Sequence, residues 1–154
     1  MSLLRDPRLS MAFRLLVGVL FIWAGVVKLG DPAAFEEGLV NYRMLPGWSI
    51  PPVAAMLPAI EVVAGLCLVV GVAIRGAALV TTGMLVVFTA AIVQAIVRGI
   101  DIECGCFGAG SEVATTIGWP EVVRDAALLA ASAHVLLYDR GVLSLQRLRE
   151  RRRG

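Results

Sequence analysis

Cys104 and Cys106 flank a single glycine in the segment RGIDIECGCFGAGSE. Two thiols so close together have three chemical uses. They can close a small-ring disulfide, strained because few bonds separate the sulfurs, and strained, exposed disulfides are the oxidising and exchangeable ones. Gly105 lets the backbone take φ/ψ values that other residues avoid, and Gly108 and Gly110 extend that freedom. Exchange runs through a thiolate, which nearby cations such as Lys28, Arg98 or Arg124 favour and Asp101 and Glu103 oppose. The same sulfurs would also serve as a soft two-thiolate clamp for an ion such as Cu(I), or as a staple that only shapes a loop. A four-ligand zinc site is disfavoured, because the third cysteine, Cys67, and the one histidine, His134, both lie within apolar runs.

Four ionisable residues form a second group: Lys28, Glu61, Arg124 and Asp125, each within or at the end of an apolar stretch. An ionised carboxylate in a membrane is costly unless it is paired or wetted, so an intramembrane Glu61 is a functional candidate by default. Its bland alternative is an ion pair with Lys28 or Arg124 that only locks helices together. Other candidates carry less. Cys67 reads as a small hydrophobe and His134 as a packing residue. Trp48 and Trp119 fit an interfacial aromatic belt better than a ring-binding site, with Trp23 beside them. No phosphate loop, HExxH motif or serine elbow occurs, so hydrolase and nucleotide chemistry have no foothold.

The elements that must position these groups follow from composition. Of 154 residues, 58% are hydrophobic and 17% charged, with a mean hydropathy of +0.83. Soluble domains are roughly 45–50% apolar and about 25% charged, so the excess calls for a lipid-facing surface and makes the bilayer this chain's first partner. Four apolar runs, 11–29, 53–74, 77–97 and 120–138, fit the length of about 17–25 residues that crosses a hydrocarbon core. Helices are expected, because in lipid each backbone group must be satisfied within its own segment. The first run resembles a signal peptide after Arg5 and Arg8, but its length, Lys28 and the following Gly30-Asp31-Pro32 argue for a retained span.

With the N-terminus inside, ten basic residues fall on the cytoplasmic side and four outside, which predicts both termini in the cytoplasm of a bacterial-type plasma membrane. The expected fold is an all-α, integral membrane four-helix bundle, N-in and C-in, forming one domain over 1–154. A basic tail, 139–154, lies at the anionic leaflet. The net charge of +2 gives no reason to expect nucleic acid. Phe35, Leu39 and Tyr42 recur at helical spacing in the first outer loop, which predicts a short interfacial helix ended by Pro46-Gly47. The second outer loop carries Cys104 and Cys106.

Ala24-Gly25, Lys28, Asp31-Pro32 and Glu61 resemble the pattern of DoxX-like membrane proteins. With Cys104-Gly105-Cys106-Phe107-Gly108 before the last helix, the chain resembles the MauE branch of that group over nearly its whole length. The resemblance implies a membrane bundle tied to maturation of methylamine dehydrogenase, a periplasmic enzyme with a disulfide-rich small subunit, and acting alongside a thioredoxin-like partner. It further implies membrane redox chemistry, in some members involving quinone. Cys104 and Cys106 match the family's cysteine pair by position, and Lys28 and Glu61 match its polar helix positions.

These readings converge on a membrane thiol-disulfide oxidoreductase. Cys104 and Cys106, as a redox-active disulfide, would exchange electrons with an extracytoplasmic thioredoxin-like protein and with a carrier such as quinone, with no metal required. Lys28, Glu61, Arg124 and Asp125 would form the supporting polar cluster. Membrane oxidases of the DsbB or VKOR type use two cysteine pairs, whereas this chain has one. Soft-metal binding or transport, and a non-catalytic membrane assembly subunit, are the rival readings.

Overall fold

The computed structural model describes residues 6–99 and 119–138. They form five α-helices: α1 (Pro7–Gly30), α2 (Pro32–Asn41), α3 (Ile50–Val70), α4 (Ile74–Val97) and α5 (Trp119–Tyr138). Local chemistry sets their ends. Asp6 accepts a hydrogen bond from the Arg8 amide at 2.9 Å, and Pro7 supplies a preset φ for the first turn of α1. Asp31 both ends α1 and caps α2, taking the Ala34 amide at 3.0 Å, with Pro32 in the first turn of α2. The short helix expected in this region is therefore α2, and it ends at Asn41, ahead of the Pro46-Gly47 pair. That pair instead introduces a 3₁₀ turn (Gly47–Ser49) leading into α3.

The second apolar run is divided where the sequence alone reads it as continuous. Gly71, at φ 77°, leaves the helix in the left-handed region, and the amides of Gly71 and Val72 both donate to the Cys67 carbonyl, at 2.9 and 3.0 Å. Residues 71–73 are thus a hairpin, and α4 begins at Ile74 rather than 77. Composition hides this turn because Val72 and Ala73 are as apolar as the helices beside them.

α1, α3 and α4 are each long and apolar enough to cross a membrane, so the chain is a multi-pass membrane protein. Their surfaces show what a lipid solvent selects. Leu16, Val19, Met56, Val63, Leu79 and Val87 are exposed, while Arg14, Lys28, Glu61 and Thr81 are buried. α5 opens with Glu121, Arg124 and Asp125 and packs against α4 and α1. The apolar core joins Val17 and Phe21 of α1, Leu68 of α3, Ala78 and Leu85 of α4, and Val135 of α5.

α1 packs most extensively on α3, and glycine makes that possible. A Cβ on Gly65 would lie 2.6 Å from the Gly18 carbonyl oxygen, and one on Gly25 would lie 2.8 Å from the Pro58 carbonyl oxygen. Such small-residue contacts let membrane helices gain dispersion energy where water exclusion contributes nothing. Between α4 and α5 the seam is polar: the Ser132 hydroxyl lies 2.8 Å from that of Thr81 and 2.9 Å from that of Thr82.

Gly65→Ala is expected to lower stability by about 1–3 kcal/mol, because its methyl group must displace backbone. Gly83→Ala in α4, where a Cβ meets open space, is expected to be neutral or stabilising by up to about 1 kcal/mol through helix propensity. Denaturant unfolding in detergent micelles would measure both.

Candidate functional site

Lys28 lies in the last turn of α1, and Glu61 at the midpoint of α3. Because α3 begins at Ile50, Glu61 is about three turns from that end rather than the two that a start at residue 53 implies. The close approach at Gly25 brings the two side chains together: the Lys28 ammonium donates to Glu61 Oε1 at 2.6 Å. The residues are 3% and 1% exposed, so this is an ion pair withdrawn from solvent on both sides. Between the two partners that sequence reasoning left open for Glu61, the structure brings Lys28 to it.

Two aromatic rings complete the surroundings of the ammonium. Its nitrogen lies 5.2 Å from the centroid of Phe35 on α2 and 5.0 Å from that of Phe88 on α4. Both distances fall within the range for cation–π attraction. Phe35 reaches this position because Asp31 turns the chain back over the end of α1. The sequence marks Phe35 only by its helical spacing with Leu39 and Tyr42, and does not mark Phe88. Phe88 is one apolar residue among many in its run, and nothing local relates it to Lys28.

On α5, Asp125 accepts from both Nε and Nη2 of the adjacent Arg124, at 3.3 and 3.2 Å. The Asp125 side chain is buried, while that of Arg124 is 38% exposed. Asp125, Lys28 and Glu61 wall one small cavity of about 30 Å³ between α1, α3, α4 and α5, lined otherwise by residues such as Ala24, Leu85 and Phe88. Glu61 Oε2 has no hydrogen-bond partner among the described residues. The four ionisable residues are thus two ion pairs, with Lys28, Glu61 and Asp125 on a common cavity.

A second, larger pocket of about 190 Å³ opens between α2, α3 and α4. Phe35, Leu39, Tyr42, Leu57 and Phe88 are among its walls, and Lys28 is the one charged residue among those described that line it. Lys28 therefore borders both spaces. Cys104 and Cys106 lie outside the described residues.

The remaining candidates have plain structural places. Cys67 is half-buried and packs against the hydrophobic core. His134 is buried between Phe13 and Tyr138, with ring centroids 5.2 and 5.0 Å away. Trp23, Trp48 and Trp119 are exposed.

The family model "Methylamine utilisation protein MauE" matches residues 6–138, which takes in every described helix. The chain belongs to the MauE family. It is 33% identical over 126 residues to methylamine utilization protein MauE of Paracoccus denitrificans, covering 81% of this chain and 67% of that protein. It is 31% identical over 135 residues to the MauE protein of Methylophilus methylotrophus, covering 87% and 70%. No solved structure matches the chain. The matched range includes Lys28, Glu61, Cys104, Cys106, Arg124 and Asp125.

Removing one partner of the buried pair leaves an uncompensated charge. Lys28→Met is therefore expected to cost about 3–5 kcal/mol, and the double variant Lys28→Met/Glu61→Leu to recover most of that loss. Unfolding midpoints of both variants in detergent would check it.

Proposed function

We infer that this MauE-family protein serves methylamine utilisation by thiol-disulfide exchange on the extracytoplasmic side of a bacterial plasma membrane, with a thioredoxin-like protein as partner. The observation that carries this reading is the Cys104-Gly105-Cys106 pair, within the family-matched range and joining two helices, α4 and α5, that wall the cavity shared by Lys28, Glu61 and Asp125. α5 is read as the fourth span, which sets the cysteines and the α1–α3 connection on one side of the bilayer. Arg8, Arg14, Lys28, Arg75 and Arg124 belong to helices rather than loops. Leaving them out, seven basic residues stand on the side of the termini against two on the cysteine side, which supports N-in and C-in.

In the oxidising direction a partner thiolate attacks the Cys104–Cys106 bond. That S–S bond breaks as a mixed disulfide forms, and the partner's second thiolate then resolves it. The partner leaves as a disulfide, and Cys104 and Cys106 remain as thiols, two electrons having passed to them. The reducing direction is the same sequence reversed.

Restoring the disulfide calls for a two-electron acceptor, which is the chemistry a membrane quinone supplies when bound. The apolar pocket fits such a group by its chemistry. Phe35 and Phe88 are among its walls, its lining is almost wholly apolar, and the Lys28 ammonium has donors beyond the one given to Glu61 to offer a carbonyl oxygen. This link to quinone, like the relation to DoxX-like redox proteins, rests on the resemblance together with that pocket. The soft-metal reading has less support within the bundle. Cys67 and Met84 pack against the hydrophobic core, and Met56 is exposed, so no ligand path leads inward from them.

Maleimide mass-tagging of Cys104 and Cys106 in intact membranes, poised across thiol redox buffers, tests the proposal. A reversible two-electron transition more oxidising than about −300 mV is expected, above the range of structural bridges. A pair oxidised at every poise would instead be a staple of an assembly subunit. A pair reduced and shielded until a chelator is added would be a soft-metal clamp.

A further inference from the structure

Two observations at the centre of the bundle point to a small polar ligand. Glu61 is 1% exposed, and its second carboxylate oxygen finds no hydrogen-bond donor among the described residues. An unsatisfied charged acceptor is among the costliest things a membrane interior can hold. Independently, the cavity that Glu61 walls measures about 30 Å³. A site needs about 10–15 Å³ and two to four polar partners to hold one water molecule. Three polar groups meet those terms from three helices: Lys28 of α1, Glu61 of α3 and Asp125 of α5. α4 contributes only Leu85 and Phe88 to the wall. Beyond the wall on α5 are Arg124, paired with Asp125, and the buried Glu121.

We propose that this cavity binds a water molecule that bridges Glu61 and Asp125 and joins the two ion pairs into one buried proton-exchange site. The donor count is complementary. Two carboxylates present acceptors and no donors, and water is a small neutral molecule with two donors to give, one to each. Its own oxygen is left to accept from the Lys28 ammonium. A metal cation suits the site less well, because that ammonium already occupies its positive position. The bridge would connect α3 to α5 across the bundle, between helices that otherwise meet mainly through α1 and α4.

The site has a use as well as a stability. Lys28 borders both this cavity and the apolar pocket, so a proton at Glu61 or Asp125 is one residue away from anything bound in that pocket. That use rests on the redox reading of Cys104 and Cys106. The water itself does not, and the two fail separately.

X-ray radiolytic footprinting of the full chain in nanodiscs, run in ¹⁸O-water, tests the proposal by comparing two leucines. Leu85 is 4% exposed and walls the cavity, whereas Leu68 is 0% exposed and lies in the core away from it. Leu85 is expected to take up solvent-derived ¹⁸O at least severalfold faster than Leu68. Ala24→Val, which reduces the cavity from the α1 side, is expected to bring Leu85 down toward the Leu68 rate. Equal labelling of Leu85 and Leu68 in the unaltered protein would mean a dry cavity and would overturn the proposal, whatever the cysteine titration shows.

Discussion

The structure depends on one withdrawn ion pair. Lys28 and Glu61 meet at 2.6 Å with almost no exposure, and neither could be retained in a membrane interior without the other. That requirement fixes how α1 and α3 are set against each other. Glycine at 18, 25 and 65 lets the two backbones approach to distances a methyl group would forbid. The pair and the glycine seam thus reinforce each other: close approach makes the hydrogen bond short, and the cost of an unpaired charge penalises any sliding of one helix along the other.

Around this contact the molecule is arranged as an interior for polar groups inside an apolar exterior. Ser132 shares hydroxyl contacts with Thr81 and Thr82 between α4 and α5, and Asp125 is paired with Arg124 at the edge of the bundle. Meanwhile valine, leucine and methionine side chains of α1, α3 and α4 face outward. In water that distribution would be unstable. In lipid it is the expected one, because the surrounding solvent is as apolar as the outward side chains and only the interior can satisfy a hydrogen-bonding group.

Lys28 earns its central position through α2. This short helix adds no span, but by folding back from the Asp31 cap it lays Phe35 over the ammonium and walls the larger pocket. The same nitrogen therefore faces a carboxylate on one side and an apolar space rimmed by aromatic rings on the other. The proposed redox reading draws on this junction between charge and hydrocarbon.

Much of this was legible in the sequence. Apolar runs of spanning length, the Asp31-Pro32 break, and the four ionisable residues set against hydrocarbon are local properties, and lipid solvation makes them decisive without knowledge of the fold. The exchange chemistry read for Cys104 and Cys106 rests on their spacing alone, since both lie outside the described residues. Other features were decided only in three dimensions. Whether Glu61 takes Lys28 or Arg124 depends on which helices pack, and glycine contacts settled that for α1 and α3. The Gly71 hairpin is hidden inside an unbroken apolar run. Phe35 and Phe88 converge on Lys28 from different helices, and the cavity shared with Asp125 exists only once four helices surround it. The physical reason is the same throughout: solvation acts on each residue by itself, whereas pairing, enclosure and orientation are properties of surfaces brought together from distant parts of the chain.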